Sequence, residues 1–264
     1  AMIRVIASGR ASCSALAAAS GTEVRLVDVG SRMGDVPTEP IYSDQRVKRG
    51  TASLARGPAM TGQDFWAAWM IGQQAAEAAK RDGMRLIALG EIGIGNTTAA
   101  ACLIALECEI GADDAVGSGA GSTSETLARK RAIVAQAVEQ ARGLGADDPV
   151  QAMAESAGFE IVAMAGAIAA AAHLDLPVVL DGVVSGAAAI VAQAIDPAAL
   201  ETAIASHVSV EPAHGHALRR LGLKPYLDWQ LRLGEGTGAL LMLPMLDAAA
   251  ALLADVATLK EVAG

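Results

Sequence analysis

Four short apolar runs, Val24 to Val29, Arg85 to Leu89, Pro177 to Leu180 and the weaker His207 to Val210, recur along the chain and predict strands. Between them lie long stretches of helical periodicity. Strands alternating with helices predict parallel βαβ units with both faces of the sheet covered. Thr61, with Asp64 three residues later, imitates a capping box for a helix that Gly83 ends just before the second strand. Ser122 with Glu125 is a closer match to that box and opens a helix running through Arg142, and Asp148-Pro149 supplies the cap and first turn of the next. Ile161 to Ala172 is apolar and Ala-rich but falls short of the ~20 residues that a membrane span needs, so it reads as a buried helix. Thr237 to Val262 is also helical, broken or kinked at Pro244, with an apolar face that must dock. No repeat or linker divides the chain, and the Gly-, Ser- and Asp-rich stretch from Gly111 to Ser124 is a loop. One α/β domain over residues 1–264 is expected, with the helices at about 237–262 part of a small helical subdomain.

Composition narrows this picture. Of 264 residues, 53% are hydrophobic but only 3% aromatic, so the core must be built from closely packed small and aliphatic side chains. A formal charge of −9 without a basic block leaves no donor surface for a nucleic-acid backbone. Neither a basic n-region nor an apolar h-region opens the chain, and Ala1 reads as an addition before a natural start at Met2; the cytoplasm is the expected compartment, with no membrane partner. Cys13, Cys102 and Cys108 form no CxxC pair and read as reduced thiols. His214 and His216, two apart, point to different faces of a helix, which favours a structural or substrate-proximal role over zinc. No metal and no cofactor are expected.

The chemistry concentrates in glycine-rich loops that follow strands or open helices. Gly90-Glu91-Ile92-Gly93-Ile94-Gly95-Asn96-Thr97-Thr98 follows the second strand and precedes a helix beginning near Ala99. Gly93 and Gly95 let a ligand approach the backbone, Asn96, Thr97 and Thr98 offer polar groups, and free N–H groups at a helix start attract phosphate or carboxylate. The loop is neither a Walker loop nor a GxGxxG fingerprint, and by pattern alone a capped tight turn explains it equally well. Gly117 to Ser122, including Gly119, leads into the helix bearing Arg129, Lys130 and Arg131, three cations that cannot share one face. Asp181, Gly182 and Ser185 follow the buried third strand. Gly234, Glu235 and Gly236 place one carboxylate between glycines at a helix start, which suits a base facing a substrate or, more ordinarily, a residue complementing the helix dipole.

GEIGIGNTTAA at 90–100, LARKRAIV at 127–134, GFEIVAMAGA at 158–167, PVVLDGVVSGAAAIVA at 177–192, SHVSVEP at 206–212 and LGEGTGALLMLP at 233–244 occur in the order in which they mark one family. The chain resembles nicotinate-nucleotide:dimethylbenzimidazole phosphoribosyltransferases over essentially its whole length. VRLVDVG at 24–30 and RGTASLARGPAMT at 49–61 add less distinctive matches. The resemblance implies a Rossmann-like parallel sheet with helices on both faces, a reduced helical small domain and a homodimer whose active site borders the subunit interface. It implies transfer of the 5-phosphoribosyl group of nicotinate mononucleotide to a benzimidazole-type base, giving nicotinate and an α-ribazole phosphate-type product. By the same resemblance Glu235 is the base, Glu91 and Lys130 are the other charged active-site residues, and the glycine loops with Ser206 hold nucleotide phosphate and ribose.

Two departures bear on the acceptor. Family members carry an upstream strand ending in an ADHG-like motif and a loop rich in Ser, Tyr and Gln around the aromatic base, and this sequence shows neither. It also reads GSGAGSTSETLARK at 117–130, without the family's TG-(aliphatic)-DD stretch. The nucleotide half is therefore expected to be better preserved than the acceptor half, with a partner chain able to supply the upstream segment. The rival readings are a shortened paralogue using another acceptor or water, and a non-catalytic nucleotide-binding or regulatory protein.

Overall fold

The computed structural model describes residues 1–117, 123–144 and 148–263. Helices α1 (Met2–Ala7) and α2 (Ser12–Ala19) precede strands β1 (Leu26–Asp28) and β2 (Tyr42–Asp44). Next come α3 (Gly62–Arg81), β3 (Ile87–Ala88), α4 (Asn96–Glu107), α5 (Ala112–Ala115) and α6 (Ser124–Arg142). The chain continues through α7 (Pro149–Ser156), α8 (Phe159–His173), β4 (Val178–Leu180), α9 (Val183–Ile195), β5 (Ala203–Ala205), α10 (Pro212–Leu221), α11 (Thr237–Asp255) and α12 (Leu259–Ala263).

Among the described residues all strand pairing is parallel, in a three-stranded sheet ordered β3-β4-β5 and a separate pair β1-β2. The expected strand at His207 to Val210 is not formed; His207 makes only an isolated bridge to Leu227, and the strand lies earlier, at β5. β2 had no counterpart in the sequence reading. β4 shows why the sheet needs cover on both faces. With a side-chain period of two, Val178 and Leu180 enter a large core with α3, α4 and α6 to α9, while Val179 enters a smaller one with Ile6, Cys13, Leu240 and Leu243.

The helix ends follow local chemistry. Thr61 and Asp64 close a complete capping box on α3, Asp148 Oδ1 accepts the Gln151 amide at 2.9 Å with Pro149 in the first turn, and α8 is buried along most of its length. α6 is capped by Thr123, which accepts the Thr126 amide, rather than by Ser122, which lies outside the described residues. α11 runs unbroken through Pro244, on its exposed side, and the helix ends only after Asp255. α3 and α8 form the most extensive helix pair, and they meet backbone to backbone. A Cβ on Gly72 would collide with the Ala163 carbonyl oxygen, and one on Gly166 with the Trp69 carbonyl oxygen.

By length and composition α11 could cross a membrane, but its first two turns, from Thr237 to Leu243, are largely buried in the core. Its outer half and α12 leave Leu252, Leu253, Val256, Leu259 and Val262 exposed.

Candidate active site

Three neighbouring parallel strands deliver their carboxyl ends to one region: β3 leads to Glu91, β4 to Asp181 and β5 to Ser206 and His207. This is where open α/β sheets present ligand sites. A cavity of about 1760 Å³ opens there, lined by Glu91, Asn96, Lys130, Glu160 and Glu235 among others. Single-ligand pockets run to roughly 300–1,000 Å³, so this one has room for a nucleotide and a second molecule together.

Glu235 is held in an uncommon backbone conformation. Its φ is 59°, between Gly234 at 77° and Gly236 at 74°, which gives three successive left-handed residues. For a residue with a side chain that geometry costs about 1–2 kcal/mol and needs outside support. Support comes from two directions. The Glu235 amide donates to the Glu91 carbonyl at 3.2 Å. Gly90 lies so close beneath the turn that an added Cβ would stand 2.7 Å from the Gly236 nitrogen. From the other side the Asp181 carboxylate accepts the Gly238 amide at 2.7 Å and the Gly236 amide at 3.2 Å. The result leaves Glu235 Oε2 desolvated and without a hydrogen-bond partner among the described residues.

Glu91 accepts a hydrogen bond from the Asn96 carboxamide. Burial, with the charges of Glu160, Asp181 and Glu235, pushes its carboxyl up to about 8 against the opposing pull of Asn96. Glu160, in the first turn of α8, is also raised by burial, opposed by its own backbone amide. At the back of the site burial raises the Asp181 carboxyl, against the His207 ring at 3.8 Å and the amides of 236, 238 and 239. Burial likewise lowers His207. His214 accepts the Ser209 amide at 2.9 Å and is pushed down to about 3 by burial and by His207, so it stays neutral and structural.

Among the sequence-derived candidates, Glu91, Gly93, Gly95, Asn96, Thr98, Lys130, Glu235 and Gly236 line the cavity. Thr97 sits beside those residues in the first turn of α4, and Gly234 in the loop before α11. Asp181, Ser185 and Ser206 are instead buried at 4%, 2% and 0% exposure, behind the cavity wall, with Gly182 next to Asp181. Gly119 lies outside the described residues. The cations of α6 divide as the helix requires: Arg129 and Lys130 line the cavity, and Arg131 turns to Asp113 at 3.3 Å. α4 begins at Asn96, one turn earlier than expected, with left-handed Gly95 as its cap. Glu160 and His207 were not singled out from the sequence. Their only signals were a lone carboxylate opening an apolar helix and a histidine inside a motif noticed for its serine.

A sequence model of the phosphoribosyltransferase family matches residues 1–263. The chain belongs to that family. Among its relatives, the nicotinate-nucleotide–dimethylbenzimidazole phosphoribosyltransferase of Thermus thermophilus is 42% identical over 254 residues, 96% of this chain and 74% of the relative. The enzyme of the same name from Solidesulfovibrio magneticus is 38% identical over 258 residues, 97% of this chain and 73% of that one. The crystal structure of CobT from Thermus thermophilus superposes with a TM-score of 0.94 at 41% identity, covering 99% of this chain and 78% of that one. The phosphoribosyltransferase fold read from the motifs is thus the fold found, an α/β architecture with helices on both faces of a parallel sheet.

Proposed function

We propose that this phosphoribosyltransferase moves the 5-phosphoribosyl group of nicotinate mononucleotide onto a ring nitrogen of 5,6-dimethylbenzimidazole or a related base. The observation that carries this reading is the half-buried Glu235 carboxylate at the edge of a cavity large enough for two substrates, with Oε2 buried and without a hydrogen-bond partner among the described residues. Nicotinate leaves from a pyridinium. As the acceptor's lone pair forms the new C1′–N bond, the old bond's electron pair neutralises the departing ring, and no proton is needed there. The acceptor's second nitrogen must lose its proton, and one carboxylate acting as general base suffices. Glu235 takes that proton, Glu91, the glycine loop at 93–95 and the first turn of α4 orient the nucleotide, and Lys130 faces its negative charge. We further propose that the chain works as a homodimer, which the exposed apolar residues of outer α11 and α12 support.

The test is chromatographic detection of nicotinate and the ribosylated base, with and without acceptor. Acceptor-dependent release of nicotinate is expected. Release without acceptor would mean nucleotide hydrolysis and overturn the transferase reading. Glu235→Gln should lower turnover about 10²- to 10⁴-fold while nucleotide affinity stays within a few-fold. Wild-type turnover in that variant would remove Glu235 from the mechanism and make Glu91 the next candidate.

A further inference from the structure

Asp181 offers a carboxylate at the end of the central strand, where a substrate-binding group would be expected, yet both of its oxygens are already engaged. Oδ2 accepts the amide of Gly236 and Oδ1 the amide of Gly238, residues 55 and 57 positions away in sequence. The carboxylate therefore occupies the start of α11 as a bound anion would, with its charge against the free N–H groups there. It is fully enclosed. The Ser206 hydroxyl donates to the Asp181 carbonyl at 3.4 Å and lies 3.1 Å from His207 Nδ1, and the His207 ring stands 3.8 Å from Oδ1. His207 in turn packs so tightly on Gly238 that any Cβ there would strike Nδ1. Loops from β4 and β5 thus close around two amides at the end of the strained turn holding Glu235, one on its last residue and one in the first turn of α11.

We propose that Asp181 is a positioning residue for Glu235, backed by Ser206 and His207, and that it makes no contact with the nucleotide. The proposal rests on Glu235 being the base. Asp181 accepts hydrogen bonds from the last residue of the left-handed turn and from the residue two beyond it, so that turn cannot relax and swing the Glu235 carboxylate away from the acceptor. Displacements of about 1 Å at a reacting group can cost on the order of 10²-fold in rate. A carboxamide at 181 would turn its NH₂ toward one of the two amides and lose that bond, while leaving the cavity lining unchanged.

The experiment is a double-mutant cycle on the full chain, with nicotinate release and calorimetric nucleotide affinity measured for Asp181→Asn, Glu235→Gln and the pair. Asp181→Asn should lower kcat about 10²-fold, with affinity for nicotinate mononucleotide within about threefold. In the Glu235→Gln background the same change should cost little further, because a residue that acts through the base has nothing left to position. Equal losses in both backgrounds, or a tenfold loss of nucleotide affinity with kcat intact, would overturn the proposal. If Asp181→Asn does not fold, Ser206→Ala enters the same cycle with a smaller loss expected and the same criteria. Undiminished turnover in Glu235→Gln alone defeats the reading of the base, and a wild-type chain that releases no nicotinate defeats both.

Discussion

With its carboxyl pushed up to about 8, Glu91 keeps its proton at neutral pH, whereas the unfolded chain would release it near 4.5. Between those values the folded chain binds more protons than the unfolded one. Stability from this group is therefore fully present below the lower value and is lost as pH rises through the upper one. Glu91→Gln cannot ionise, so the fall in Tm from about pH 5 to about pH 9 should be shallower in the variant than in the wild type. Equal slopes would show that Glu91 is ionised throughout. At this scale the sequence was informative where glycines isolate a single polar residue, as around Glu91 and Glu235. Glu160 escaped notice because a carboxylate opening a buried helix looks like an ordinary helix-dipole partner. Asp181 drew attention for its place after β4, but only the fold brings the amides of residues 236 and 238 against it.

Helices were more legible than strands, for a physical reason. A helix carries its own boundary chemistry, and Thr61, Asp64 and Gly83 mark α3 without reference to the rest of the molecule. A strand of two or three residues has no such markers and is defined by its neighbours. Ala203–Ala205 forms β5 because β4 lies alongside, while the more β-prone HVSV segment after it turns away to build the site. Tyr42–Asp44 had no apolar signal, yet it pairs with β1. The α3 cap gives a test away from the cavity. Thr61→Ala removes the acceptor for the Asp64 amide and should cost about 1 kcal/mol, a fall in Tm of roughly 2–4 °C in a chain of this size. Nicotinate release by the folded variant should be unchanged. An unaltered Tm would mean that the Lys48–Asp64 ion pair at 2.6 Å holds the helix start by itself.

At the scale of the whole molecule, the sheet divides its labour between two faces, and the cavity collects loops from both the first and the last thirds of the sequence. A ligand that bridges such distant segments should tighten the entire fold. Nicotinate mononucleotide at ~100 times its dissociation constant should add about 2.7 kcal/mol, seen as a rise in Tm of roughly 5–10 °C. No rise at millimolar nucleotide would argue against the cavity as its binding site. The backbone contact between α3 and α8 bears on how such a molecule can change over evolutionary time. Most of a protein interior can be varied by trading one side chain's bulk for another's, but at Gly72 and Gly166 there is no bulk to trade and every substitution adds some. Drift around these positions is open while drift at them is closed. The spacing of the two helices is thus inherited as a fixed length, and the cavity wall that both helices help to build keeps its dimensions while its surroundings diverge.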